Sequence, residues 1–120
     1  MASVLEMAGI EATKLDGTFD LLAVTPAGTI ISVEVKTRAT VSYSDVWRFG
    51  RGEGAVQAHF LRHLRGEGRS QWFALYCVPL GVVRFFRSDD PKHKRKMFNV
   101  RSAEFTGAAQ AADLETLLSL

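Results

Sequence analysis

Gly17-Thr-Phe-Asp20-Leu-Leu-Ala-Val-Thr-Pro26-Ala-Gly28-Thr-Ile-Ile-Ser-Val-Glu34-Val-Lys36 reads as two apolar strands joined by a short turn, with Asp20, Glu34 and Lys36 written into them. Charged residues are poor strand formers and costly to bury. Three of them inside an otherwise hydrophobic hairpin point to a role other than stability. Two carboxylates beside an ammonium are the equipment for holding a divalent cation next to a fixed positive charge.

Whether the two acids meet depends on register. Side chains two apart on a strand share a face, so Glu34 and Lys36 project together while Val33 and Val35 face the core. If Pro26-Ala27-Gly28 is a three-residue loop, residue 25 pairs with 29, 24 with 30 and 20 with 34. Asp20 and Glu34 then become direct cross-strand neighbours, with Cβ atoms roughly 4.5–5.5 Å apart. Like charges so placed repel unless a divalent ion converts repulsion into coordination, and hard oxygen ligands suit magnesium or manganese. A two- or four-residue loop shifts the pairing by one and breaks the alignment. The acidic-x-Lys triplet alone carries little, since about one arises by chance in a chain this long. A second, Asp90-Pro91-Lys92, sits in a turn without a partner hairpin. The bland alternative for Glu34 and Lys36 is an exposed ion pair on a solvated strand face.

Around this hairpin the chain alternates short elements. Ser3 to Ala8 reads as a short helix stopped by Gly9, and Ile10 to Thr13 as a short extended piece. Thr18 to Val24 and Thr29 to Thr37 are the two strands. Ala39 to Gly54 mixes Tyr43, Trp47 and Phe49 with Ser, Arg and Gly and reads as a loop with possible short elements. Ala55 to Leu64 has helical spacing, ended by Gly66-Glu67-Gly68. Trp72 to Val78 and Val82 to Arg87 form a second hairpin about Pro79-Leu80-Gly81. After the Asp89-Asp90-Pro91 turn, Met97 to Val100 reads as a strand and Ala108 to Leu120 as a helix with Ala111, Leu114, Leu117 and Leu118 on one face. The expected architecture is a small α+β domain spanning residues 1–120, with a mixed or antiparallel central sheet and flanking helices.

At 120 residues, 47% hydrophobic and 23% charged, the composition is that of an ordinary globular domain. No run approaches the ~18 apolar residues of a membrane span, and the start lacks the pattern of a signal peptide. The lone Cys77 excludes an intramolecular disulfide and suits a reducing compartment or simple burial. His59, His63 and His93 lack a ligand pattern, which leaves a structural zinc site without support. The net charge is only +2, yet Arg48, Arg51, Arg62, His63, Arg65 and Arg69 cluster mid-chain and Lys92 to Lys96 is densely basic. Such asymmetry fits an anionic partner such as nucleic acid, or else merely solvated faces.

The Phe19-Asp20-Leu21-Leu22 and Val33-Glu34-Val35-Lys36 strands resemble the PD-(D/E)XK nuclease superfamily, and within it the small archaeal-type Holliday junction resolvases and compact restriction-like nucleases. In these a Gln-bearing helix and an aromatic-rich hairpin follow the Glu-x-Lys, the order of Gln57, Trp72 to Tyr76 and Val83 to Phe86 here. The resemblance implies a restriction-endonuclease-like core and magnesium-dependent (manganese as a substitute) hydrolysis of DNA, in recombination or repair. It assigns Asp20, Glu34 and the carbonyl of Val35 to the metal, and Lys36 to orienting the attacking water and stabilising charge on the phosphate. Gln57 can brace Lys36 or the water, or be an ordinary surface residue. The family's early helix usually supplies a further acid well upstream; here that helix is very short, which leaves Glu6 or Glu11 as poor stand-ins.

For DNA contact, branched or duplex, the candidates are Arg38, Arg48, Arg51, Lys92, Lys94, Arg95 and Lys96, with Tyr43, Trp47 and Phe49 available to stack or, for Trp47 and Phe49, to fill a core. Two-strand cutting favours a homodimer, with the Trp72 to Phe86 hairpin or the C-terminal helix as interface. No membrane association is expected, and a cytoplasmic location follows, in a prokaryotic cell or virus-infected host. The competing readings are a non-catalytic nucleic-acid-binding module of the same fold and a protein-docking accessory subunit.

Overall fold

The computed structural model describes residues 2–14, 21–50, 71–87 and 97–120. In chain order the elements are α1 (Ala2–Met7), β1 (Glu11–Lys14), β2 (Leu21–Val24), β3 (Ile30–Arg38), β4 (Val46–Gly50), β5 (Gln71–Cys77), β6 (Val82–Arg87), β7 (Met97–Arg101), a 3-10 turn (Ser102–Glu104) and α2 (Gly107–Leu118). Five strands form a mixed sheet in the order β1-β2-β3-β5-β6, parallel between β3 and β5 and antiparallel elsewhere. β4 and β7 pair separately as an antiparallel ribbon.

The decisive hairpin closes as a three-residue loop. Leu21 opposes Val33 and Val24 opposes Ile30. Thr25 and Thr29 close the loop: the Thr25 N–H donates to the Thr29 carbonyl at 2.9 Å, and the Thr29 N–H to Thr25 Oγ1 at 3.1 Å. Gly28 occupies the left-handed region at φ 88°, where a Cβ is disfavoured, and its N–H returns to the Thr25 carbonyl at 2.8 Å. This is the register that the alignment of residues 20 and 34 requires. Asp20 itself lies outside the described residues.

β3 runs through the middle of the sheet, and its two faces enter different cores. Ile31 and Val33 join Leu21, Ala23, Trp72, Ala74, Val83 and Phe85 beneath Leu5 of α1, Ile10 and Leu117 of α2. On the other face, Phe73, Leu75, Cys77 and Phe86 pack against Trp47 and Phe49 of β4, Phe98 and Val100 of β7, and Phe105. Phe73 and Phe98 meet edge-on at 4.7 Å between centroids, a favourable aromatic geometry. Burial pushes the Cys77 thiol above its ordinary range, against a smaller opposing effect of the Leu80 backbone, so it is a buried apolar filler.

Three local devices hold the periphery. α1 ends in a Schellman motif: Gly9 at φ 89° donates to Glu6 and Ile10 to Leu5, and the buried Leu5 and Ile10 provide the accompanying hydrophobic contact. Thr106 caps α2 by accepting from the Ala109 N–H at 3.1 Å. α2 also seals the edge strand β6. Gln110 Oε1 accepts the Val83 N–H at 2.8 Å, and Asp113 Oδ2 accepts the Phe85 N–H at 2.9 Å and Arg84 Nε at 2.6 Å. Outward amides that would otherwise template a further strand are thereby occupied.

Several expectations change. Residues 46–50 are a strand, since Trp47 and Phe49 alternate inward against β7 while Arg48 points out. Their rings are 6% and 1% exposed, which removes them as base-stacking groups and makes them core. Both faces of the Trp72 to Phe86 hairpin join the two cores, and the Val83 and Phe85 amides of its β6 edge are held by α2. In α2, Leu117 is buried and Leu114 and Leu118 pack inward, but Ala111 is exposed. The helix expected over Ala55 to Leu64 and the turn at Asp89 to Pro91 lie outside the described residues. Among those described, no helix is long and apolar enough to cross a membrane.

Candidate active site

Alternation along β3 puts Ser32, Glu34, Lys36 and Arg38 on the face shared with the aromatic cluster. Parallel pairing sets Glu34 beside Phe73 and Lys36 beside Leu75. Glu34 is only 8% exposed. Lys36 Nζ stands 3.5 Å from Glu34 Oε1, with more of its own side chain open to solvent. A carboxylate at that depth is costly to hold ionised without opposite charge nearby, and Lys36 supplies it. The pair is therefore not the solvated surface contact of the bland reading.

Two serines missed by sequence reasoning shape the same face. Ser32 Oγ is buried and finds no hydrogen-bond partner among the described residues, two residues before Glu34 on the same side of the strand. The signal for it was available in the period-2 spacing that groups residues 32, 34 and 36. Ser42 accepts from Arg38 Nη2 at 3.2 Å and from the Arg48 backbone N–H at 3.2 Å, which ties the end of β3 to β4. That link is tertiary and leaves no mark in local sequence. Arg38 is half-buried by it, while the Arg48 side chain is exposed.

The donor chemistry on this face is hard oxygen: the Glu34 carboxylate, the orphaned Ser32 hydroxyl and, on the strand itself, the Val35 carbonyl. That set suits magnesium or manganese and not a soft metal. Among the described residues no three His, Cys, Asp or Glu side chains converge. Asp20, Gln57, Arg51, Lys92, Lys94, Arg95 and Lys96 all lie outside the described residues. Glu6 and Glu11 are exposed, and Glu11 opposes Val24, at the far end of β2 from residue 20.

This arrangement of strands has solved counterparts. One is Hjc, a Holliday junction resolvase from the archaeal hyperthermophile Archaeoglobus fulgidus, at TM-score 0.55 and 22% identity over 84% of this chain and 77% of that one. Another is a bacterial homing endonuclease, at TM-score 0.57 and 19% identity over 95% of this chain and 87% of that one. The chain has a restriction-endonuclease-like fold. At the level of the fold, the resemblance to PD-(D/E)XK nucleases read from the hairpin holds. No family model and no curated protein sequence matches the chain.

Proposed function

We propose that this protein is a metal-dependent DNA endonuclease, selective for branched or otherwise non-uniform DNA. The observation that carries the reading is the Thr25–Thr29 closure of the β2–β3 hairpin. It sets the register in which a ladder continued by one residue puts Asp20 opposite Glu34, with Lys36 already 3.5 Å from the Glu34 carboxylate. The two counterparts of the same fold, one a junction resolvase and one a homing endonuclease, support the same class of reaction.

In this reading Asp20, Glu34 and the Val35 carbonyl hold magnesium or manganese. When bound, such an ion polarises the phosphoryl oxygen and makes its water more acidic. Lys36 sits against the Glu34 carboxylate and offers an ammonium to the attacking water and to the charge that gathers on the phosphate. Gln57 steadies Lys36 or that water. Arg38, Arg48 and Arg51, with Lys92, Lys94, Arg95 and Lys96, meet neighbouring phosphates. Cutting both strands symmetrically calls for a second copy of the chain.

A second reading, a binding module that keeps the fold without activity, is favoured by one observation: Glu11 is exposed and stands at the opposite end of β2 from residue 20. Incubation of branched, nicked and linear DNA with magnesium or EDTA separates the two. The nuclease reading expects magnesium-dependent cleavage that is lost in Glu34→Ala and Lys36→Ala. Cleavage surviving in both variants sinks the site, and binding without cleavage under magnesium and manganese establishes the module.

A further inference from the structure

We infer that Ser32 is a positioning residue of the cation site, its hydroxyl holding a water of the ion's hydration shell beside Glu34. The inference rests on the reading of this face as a divalent-cation site, and it adds a residue that the resemblance to nucleases does not assign.

Thr25, Ser32 and Glu34 are the buried polar residues among those described. Thr25 Oγ1 accepts the Thr29 N–H across its loop, and Glu34 has Lys36 at 3.5 Å. Ser32 is only 2% exposed, and its Oγ has no partner among the described residues. Native chains leave few buried polar atoms unpaired, and each such atom points to strain, to a functional role, or to a water or ion that completes it. The flanking Ile31 and Val33 are buried in the same strand and leave no such atom, so β3 has apolar alternatives to a serine here. The other unpaired buried atom, Trp72 Nε1, belongs to the cluster on the α1 and α2 side of the sheet, the face opposite Ser32.

Strand alternation puts Ser32 and Lys36 on either side of Glu34, on one face of β3. Lys36 brings a charge to one side of the carboxylate. Ser32 stands on the other with a hydroxyl that both donates and accepts. Across β2, Ser32 opposes Leu22, so position 20 is its diagonal neighbour in the continued ladder. The Cα atoms of residues 32 and 34 are about 7 Å apart along a strand. That span suits a hydrogen bond of ~2.8 Å to a water that is itself ~2.1 Å from a cation on the carboxylate. Magnesium keeps several waters when one or two carboxylates bind it, and groups in its outer shell orient what it holds. A neutral hydroxyl fixed in a strand orients such a water without adding negative charge to the face.

The test compares the full chain with Ser32→Ala, Ser32→Cys and Glu34→Gln. Electron paramagnetic resonance reads manganese affinity, and urea denaturation in EDTA reads stability without metal. Ser32→Ala should bind manganese ~10-fold more weakly, the size of a lost outer-shell partner, with its urea midpoint unchanged or raised. Ser32→Cys keeps the volume but offers only a weak hydrogen-bonding thiol, so it should lose manganese affinity as the Ala variant does. Parental manganese affinity in Ser32→Ala overturns the inference, as does a Cys variant that binds as the parent does. A lowered urea midpoint in Ser32→Ala assigns the hydroxyl a structural bond and also overturns it. If Glu34→Gln loses manganese while Ser32→Ala keeps it, the cation site stands and this inference alone fails. A parent chain without manganese affinity removes both.

Discussion

Glu34 and Ser32 are the two polar residues that β3 buries, and they lie on the same face. A buried hydroxyl without a hydrogen bond costs about 1–3 kcal/mol, while an apolar group of the same shape avoids that cost. Ser32→Ala should therefore leave stability unchanged or raise it by about 1 kcal/mol, read as the midpoint of urea denaturation. A loss of more than that would assign Ser32 a structural bond. Glu34 was legible in the sequence because a carboxylate interrupts a run of Ile and Val. Its depth was not, because that depth comes from Phe73 and the ribbon beyond it, residues far away in the chain. Ser32 was overlooked because a serine in a strand ordinarily signals a solvated position.

At the level of elements, the β2–β3 loop was the most legible part of the chain. Pro26 and Gly28 flank a single residue, and the three-residue closure uses the left-handed freedom of glycine at its last position. Nothing crowds a Cβ at Gly28, so the cost of Gly28→Ala comes from its φ of 88° alone. That cost is about 1–2 kcal/mol. The variant should melt earlier by that amount, and metal-dependent cleavage should fall further than stability does, because a slipped register moves residue 20 away from Glu34. Cleavage that simply follows the folded fraction would detach the site from the register. β4 was the least legible element. Val46 to Gly50 alternates inward and outward, but Tyr43-Ser44-Asp45 just before it and the distance in sequence to its partner β7 hid a five-residue strand inside what reads as a loop. Of the two roles open for Trp47 and Phe49, the core one holds, with β7 supplying the packing partner that the local sequence could not show.

At the level of the whole molecule, both faces of the central sheet are packed, one of them against α1 and α2. The other carries Glu34 and Lys36 beside the β4–β7 ribbon, with Arg38 and Arg48 leading outward from them. The net charge of +2 is too small for indiscriminate attraction to DNA, so binding depends on where those cations stand. Arg48→Ala should weaken every DNA alike and lower the salt slope of binding by about one. An Arg48 variant with an unchanged salt slope would place DNA elsewhere.

The central claim is that Asp20 and Glu34 act as one divalent-cation site, and manganese affinity tests it without requiring turnover. Electron paramagnetic resonance titration of the parent, Asp20→Asn, Glu34→Gln and the double variant gives a complete cycle. Each single variant should lose at least ~10-fold in affinity, with the double variant little worse than either, because two ligands of one ion fail together. Independent, additive losses, or manganese binding that survives in both single variants, would contradict the account.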